Sequence, residues 1–532
     1  MVVNTCSLSE SQQFSYYVIH YTEKNELTDF YNFPPNLNGI KQALEKKSLN
    51  PESRKTLSKA LHSQYINDGI EVNKKLQENI LLLEKPDTFT ITTGHQLNIF
   101  LGPLYYFYKI ISTINLAKQV EKECPGKKML PIFWMASEDH DFKEIASINL
   151  FNNKVEWKGD YAGPVGRINP KEIQPTLDEL ASYFKQPTPY ITELFDLFKS
   201  AYLESNSLSG ATRKLVHHFF QDTNLLILDG DDSSLKSLFA PIMKRELTEK
   251  LSNQAVEKTN AKLEKQGYSP QAHSREINLF YIQDNLRERI VLEGNTYKVL
   301  NTDLSFSEEK LLEELTSNPD NFSPNVILRP VYQEAVLPNL AYVGGGGELT
   351  YWGQLKGVFE QYDIQMPVVI LRDSVLWIDK GSQKKIKKFE LEYIQLFSDI
   401  ESLVKSFVNE KSEEPLSLEK SKGQLQAIFE DIKTQVTQVD GSLQGKVDAE
   451  LAKTIKELDK LEKRLTKAQK DKFENSINQL RKLHEKLFPK GGLQERHDNF
   501  ISLYQKHGKD FLTPLFQHLD PLNKEFKILI EE

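Results

Sequence analysis

Residues 88–118 read TFTITTGHQLNIFLGPLYYFYKIISTINLAK, and residues 129–141 read MLPIFWMASEDHD. Asp87 to Thr93, rich in Thr, Phe and Ile and closed by Gly94, has the composition of a short strand. Gly102-Pro103 then opens a segment with apolar residues at Leu104, Phe107, Tyr108, Ile111, Ile114 and Leu116. That spacing predicts an amphipathic helix, with the proline in its first turn. Leu130 to Met135 is a second apolar run of strand length, cut off by Ser137-Glu138-Asp139-His140-Asp141. Strand, helix, strand is a βαβ unit. In such units ligands bind beyond the carboxyl ends of the strands, where amides at the helix start favour anions. Two polar clusters fall at such ends: Thr93-Gly94-His95-Gln96, with Asn98 just beyond, and Glu138 to Asp141.

Working outward, 532 residues allow a large core and two or three domains. A net charge of −8 and a pI of about 5.9 argue against a nucleic-acid-binding protein. Two cysteines, Cys6 and Cys124, give neither a disulfide framework nor a Cys-based zinc site. The N-terminus lacks the pattern of a signal peptide and no apolar run approaches a membrane span, so a soluble cytoplasmic protein is expected.

Residues 1–85 read as largely helical, and Ser147 to Trp157 as a hairpin turning at Asn152-Asn153. Asn224 to Gly230 reads as a buried strand, Ile277 to Leu300 as a small antiparallel insertion, and Asn325–Arg329 and Met366–Arg372 as further strands. Strands separated by helices predict an α/β fold, an open Rossmann-like sheet with insertions over 1–380. From 381 to 490 the chain is rich in Lys, Glu, Leu and Gln. Heptads place Val447, Thr454 and Leu461 on one seam position and Leu451, Leu458 and Leu465 on the other. They slip near Lys472, with Gly441 and Glu413-Glu414-Pro415 as breaks. A coiled-coil arm follows, either a hairpin within one chain or a dimer seam. Residues 491–532 should fold back on the core, because Phe500, Leu503, Phe511, Leu512 and Leu515 need burial.

Four ionisable groups in a row after a buried strand must be solvated, paired or bound to a ligand. His95, His140 and an acid could hold a metal, but there is neither a thiolate nor a His-x-x-x-His pair to favour it. Arg329, at the end of the Asn325–Arg329 run, suits a bidentate grip on a carboxylate or phosphate. Gly344 to Gly347, before Glu348 and Trp352, allow close backbone approach to a ligand, or form a plain flexible turn. Lys490-Gly491-Gly492 with Arg496 suits a diphosphate, or serves as a hinge with Arg496 paired to an acid.

The stretches TGHQLNIFLGPLYYFYKIISTINLAK, PIFWMASEDHDFKEI, LRPVYQEAVLPNLAYVGGGGELTYWGQL and KGGLQERHDNF together closely resemble the BshC family, the bacillithiol biosynthesis cysteine-adding enzymes. The likeness covers essentially the whole length. The family pattern GGPGE reads here Gly344-Gly345-Gly346-Gly347-Glu348, and His95 stands where many members carry glutamine. The resemblance implies a Rossmann-like core related to nucleotidyltransferases and class I synthetases, and a coiled-coil arm that makes a homodimer. It implies the last step of bacillithiol synthesis, joining L-cysteine to the amino group of glucosaminyl-malate. An adenine nucleotide, ATP or ADP, is expected, with Mg only as the counter-ion a nucleotide brings and no metal held by protein ligands. The expected catalytic residues are Glu138, Asp139, His140, Asp141 and His95. Thr93, Gly94, Gln96, Asn98, Arg329, Gln333, Tyr342, Gly344, Gly345, Glu348 and Trp352 are the expected substrate-binding set, with the nucleotide at Lys490, Gly491, Gly492 and Arg496. The alternatives are a nucleotidyltransferase-like enzyme acting on another small substrate, and a coiled-coil interaction protein with a relic core.

Overall fold

The computed structural model describes residues 1–24, 26–412 and 417–532. It divides into two units, Met1–Leu376 with Leu493–Leu529, and Trp377–Gly492 with Ile530–Glu532. Among the described residues no helix is long and apolar enough to cross a membrane. The Glu413-Glu414-Pro415 break lies outside the described residues.

The first unit is organised on a five-stranded parallel sheet of β1 (Thr88–His95), β2 (Lys128–Met135), β3 (Leu226–Asp229), β4 (Asn339–Gly344) and β5 (Val368–Leu371). Their spatial order is β5-β4-β1-β2-β3. The strands are buried on both faces, which is why they read as near-continuous apolar runs without alternation. The chain leaves β1 toward β2 on one side and returns with β4 on the other. The order therefore reverses between β1 and β4, and a crevice opens beyond their carboxyl ends.

Helix α1 (Tyr105–Glu123) connects β1 to β2. Before it, Phe100, Leu101 and Gly102 all take positive φ, and a Cβ on Gly102 would lie 2.8 Å from Asn98 Cβ, so this sharp reversal requires glycine. The expected amphipathic helix is instead buried all round from Tyr106 to Ala117, because residues 493–529 cover its outer face. Phe107 meets the rings of Phe500, Phe219 and Phe511 at 4.7, 5.2 and 5.3 Å, and Asn115 donates to the Leu519 carbonyl at 2.8 Å. Removing a ring so enclosed costs about 3–5 kcal/mol.

After β3, Asp232 caps α2 (Ser233–Glu249). The insertion is a five-stranded antiparallel sheet built on Leu279–Gln283, Leu286–Glu293 and Thr296–Val299, with Ser305–Phe306 at one edge and Phe322–Pro324 at the other.

Three expectations change. Asn325–Arg329 is not a strand: the Asn325 side chain accepts from the Ile327 amide at 2.9 Å, and Arg329 opens α3 (Arg329–Val336) with Pro330 in its first turn. Among the described residues of 1–85, helices joined by loops predominate, but Val2–Ser7 is a strand, which lies beside Glu525–Ile530. In the 147–156 hairpin the two-residue turn is Phe151-Asn152, both at positive φ, one position earlier than expected. The glycine run follows β4, with Gly345 capping α4 (Gly346–Trp352).

In the second unit, helices Glu419–Val439 and Gln444–Lys472 run antiparallel around a turn at Gly441–Leu443. Lys433 meets Asp448 at 2.7 Å, and Lys422 meets Asp459 at 2.8 Å and Glu462 at 2.6 Å, so the arm closes as a hairpin within one chain. Of the heptad positions, Val447, Leu451, Thr454 and Leu458 are half-buried while Leu461 and Leu465 stand exposed. The slip near Lys472 is a helix break at Phe473. A small core of Phe389, Val404, Phe407, Ile477 and Leu480 holds the base of this unit.

Candidate functional site

The crevice is a cleft of ≈ 760 Å³. Its floor is the ends of β1, β2 and β4, and the antiparallel insertion supplies the facing wall through Phe280, Arg287 and Arg289. Four of the expected elements converge here: Gly94-His95-Gln96, Glu138-Asp139, Arg329 and Tyr342 with Glu348.

Gly94 lets the chain pass close to Tyr342, since an added Cβ would sit 3.3 Å from the hydroxyl. Its carbonyl accepts from Lys109 Nζ at 2.6 Å, and the same ammonium meets Glu348 Oε2 at 2.6 Å. Glu348 also takes the Gly345 amide at 2.8 Å and the Tyr342 hydroxyl at 2.6 Å. Burial disfavours the Glu348 charge, but Lys109 and these donors outweigh it and hold the carboxyl below its usual range. Burial, helped by Lys109, lowers His95 to about 4, so its imidazole is neutral at physiological pH. Its Nδ1 lies 3.0 Å from the Gln96 carbonyl, which can only accept; Nδ1 therefore carries the proton and Nε2 keeps its lone pair.

Asp139 accepts from Gln96 Nε2 at 2.7 Å and from the His140 amide at 2.7 Å. Burial opposes its charge, yet these bonds and nearby Arg287 keep it ionised. Glu138 pairs with Lys236 of α2 at 2.9 Å, and Lys236 also holds Asp231. The Arg329 guanidinium lies 5.6 Å from the Tyr342 ring centroid. Its Nη1 donates to Gln333 at 3.1 Å and the group also interacts with the Tyr351 hydroxyl, while Nη2 is buried without a well-aligned hydrogen-bond partner. Arg287 stacks 3.9 Å from the Phe280 centroid, and neither Arg289 nor Arg275 has an acidic partner among the described residues.

Other expected residues do not line the main cleft. Thr93 is buried, donating to the Val343 carbonyl at 2.7 Å and so tying β1 to β4. Asp141 caps a short helix by accepting from the Glu144 amide at 3.2 Å, a bond that turns it from the cleft. His140 Nδ1 lies 2.8 Å from Arg287 Nη1, but the imidazole is half-exposed and does not line the cleft. Trp352 stacks behind Tyr342 at 4.6 Å, fully buried, and the Gly344 carbonyl accepts from the Arg372 amide at 2.8 Å. Gln333 reaches the site only through Arg329. The tail motif is divided: Lys490, Gly491 and Gly492 belong to the second unit, and Arg496 to the first. Arg496 lines an annex of ≈ 220 Å³ that shares Gln96, Tyr105 and Glu144 with the main cleft and has Asn98 on its wall. Glu495 beside it is buried against Arg372 at 2.6 Å, and Arg372 in turn lies 4.9 Å from the Tyr105 centroid. Among the described residues no group of three or more His, Cys, Asp or Glu is placed to hold a metal.

Comparison with known families fits this geometry. The Rossmann-like N-terminal domain of bacillithiol biosynthesis BshC matches residues 1–373, and the BshC C-terminal coiled-coil domain matches residues 375–531. The chain belongs to the BshC family. It is 41% identical over 532 residues to a protein of Flavobacterium johnsoniae, covering 99% of this chain and 100% of that one. It is 40% identical over 535 residues to one of Flavobacterium psychrophilum, covering 99% of each. A Bacillus cereus relative is 30% identical over 478 residues, with 84% of this chain and 87% of that one covered. All three carry the name "Putative cysteine ligase BshC".

Several BshC cleft residues escaped the motif reading. Lys109 was legible: one lysine inside the apolar run Tyr105–Ala117 must find a buried partner. Arg287 and Arg289 alternate on one strand and so share a face, but only the fold shows that this face meets the cleft. Lys236, Tyr105 and Glu144 carried no pattern of their own.

Proposed function

We propose that this chain joins L-cysteine to the amino group of glucosaminyl-malate in the cytoplasm, with ATP activating the cysteine carboxyl. Family membership already makes it an enzyme of the ligase class in bacillithiol biosynthesis. The observation that carries the finer reading is the meeting, at one strand-end cleft, of a neutral imidazole with guanidinium groups that have no acid to neutralise them. The malyl carboxylates of the acceptor and the phosphates of a nucleotide are both anionic. Arg329, with one buried arm unmatched, and Arg289 and Arg275 opposite suit such groups. An amine attacking an activated carboxyl must lose a proton, and His95 Nε2 is a base that stays unprotonated well below neutral pH. Glu348 and Lys109 neutralise each other and fix the end of β4 and the start of α4. ATP supplies the driving force that amide formation in water lacks, and any magnesium arrives with it. The arm, with its exposed Leu461 and Leu465, is the proposed homodimer contact.

The test is incubation of purified protein with glucosaminyl-malate, L-cysteine and ATP, with the amide followed by mass spectrometry. AMP as product would mean an acyl-adenylate and ADP an acyl-phosphate. Nucleotide turnover without amide would favour a nucleotidyltransferase acting on another substrate.

A further inference from the structure

The annex beside the main cleft has its own chemistry. At ≈ 220 Å³ against ≈ 760 Å³ it is the smaller chamber, with room for a free amino acid. On one wall stand acceptors. Glu144 holds a carboxylate there, with Oε2 2.9 Å from Gln96 Nε2. Asn98 is oriented by its Nδ2 contact to the Glu144 carbonyl at 3.4 Å, and its Oδ1 is buried without a hydrogen-bond partner. A buried acceptor left unmatched costs about 1–3 kcal/mol unless a donor arrives. Arg496 adds an exposed guanidinium with no acid partner among the described residues, while neighbouring His497 is already paired with Asp498 at 2.9 Å. One carboxylate, a neutral amide acceptor and an unpaired guanidinium in one small chamber match a zwitterion, ammonium to Glu144 and Asn98 and carboxylate to Arg496. They do not match a polyphosphate, which the Glu144 carboxylate would repel.

We infer that the annex is the amino-acid subsite, holding L-cysteine by its ammonium on Glu144 and Asn98 and by its carboxylate on Arg496. This rests on the ligase reading above. Gln96, Tyr105 and Glu144 border both chambers, so the annex adjoins the cleft that contains His95, where the acceptor amine would wait. Asn98 and Arg496, far apart in sequence, are thereby specificity residues for the donor and not for the glycoside.

Calorimetric titration of the full-length protein tests this with L-cysteine, 3-mercaptopropionate (no ammonium), cysteamine (no carboxylate), glucosaminyl-malate and ADP. Wild type should bind L-cysteine at least about tenfold more tightly than either truncated analogue. Glu144→Gln should erase the preference over 3-mercaptopropionate and Arg496→Ala the preference over cysteamine, and Arg496→Ala, which lines only the annex, should keep glucosaminyl-malate affinity within about twofold. Both residues are exposed, so the fold should survive, and Asn98→Ala offers a second route to the ammonium contact. Unchanged L-cysteine affinity in all three folded variants overturns the proposal, as does a loss of ADP affinity in Arg496→Ala with L-cysteine unaffected. If the variants lose L-cysteine while wild type neither binds nor converts glucosaminyl-malate, the subsite stands and the ligase reading falls. If amide forms while the variants keep wild-type L-cysteine affinity, only the subsite falls.

Discussion

Replacing Arg329 by lysine keeps a positive charge at the cleft and removes the planar fork. One arm of that fork is held by Gln333 at 3.1 Å and the other is buried with no well-aligned partner, while the Tyr342 ring supports its face. A ligand anion meeting the unmatched arm gains a charge-assisted hydrogen bond of about 1.5–3 kcal/mol. Lysine cannot reproduce the orientation set by Gln333, so Arg329→Lys should weaken binding of the anionic ligand by about 10- to 150-fold. Gln333→Leu leaves the guanidinium in place but frees it to turn, and should cost about 1 kcal/mol, or about fivefold. Calorimetry with glucosaminyl-malate and, separately, ADP reads which anion is lost, and thermal melting confirms that each variant is folded. Affinities for both ligands equal to wild type in a folded Arg329→Lys protein would refute the reasoning and leave Arg329 as a residue of the fold.

Two further outcomes are expected. Burial pushes the Asp373 carboxyl from 3.8 up to about 7, despite bonds from Ser112 at 2.8 Å and the Asp520 amide at 3.0 Å. Between those values the folded state keeps a proton that the unfolded chain has lost. Stability therefore falls as pH rises from about 4 to 7, by roughly 4 kcal/mol, and is level above that. Asp373→Asn should raise the melting temperature at pH 7.5 and not at pH 4; an equal shift at both would contradict the account. In the arm, Leu461 and Leu465 are 48% and 38% exposed on a helix whose own partner does not cover them. Glutamates at both should convert a sedimenting dimer to monomer with helix content unchanged, and a wild type already monomeric at micromolar concentration would remove the proposed contact.

How much of this was legible from residues alone varied with the kind of signal. The βαβ unit was, because β1 and β2 end abruptly in polar residues and α1 has helical spacing. β4 was not, since Asn339–Gly344 is a six-residue strand buried on both faces, with no alternation, hidden in front of conspicuous glycines. Asn325–Arg329 misled for the opposite reason: an apolar run looks like a strand until the Asn325 side chain, a contact invisible in composition, bends it into a helix start. Within the site, glycine and charge clusters singled out Gly94, Asp139, Glu348 and Arg329, which the fold brings to one cleft. They also drew in Asp141 and Thr93, whose side chains are spent on a cap and a strand tie. The arginines of the insertion could be placed on one strand face but not in the cleft, because that depends on how a sheet folds over residues remote in sequence.

The Arg372–Glu495 pair sets an order of manufacture. Glu495 and the segment over α1 follow the whole of the arm in sequence, and so leave the ribosome after it. Until then Arg372 lacks its counter-charge, the shelf under Tyr105 is unsupported, and the ring of Phe107 faces water where Phe500 and Phe511 will later sit. A growing chain thus carries an unfinished and sticky pocket for the entire synthesis of residues 377–492, a stretch in which a holdase would find its binding surface.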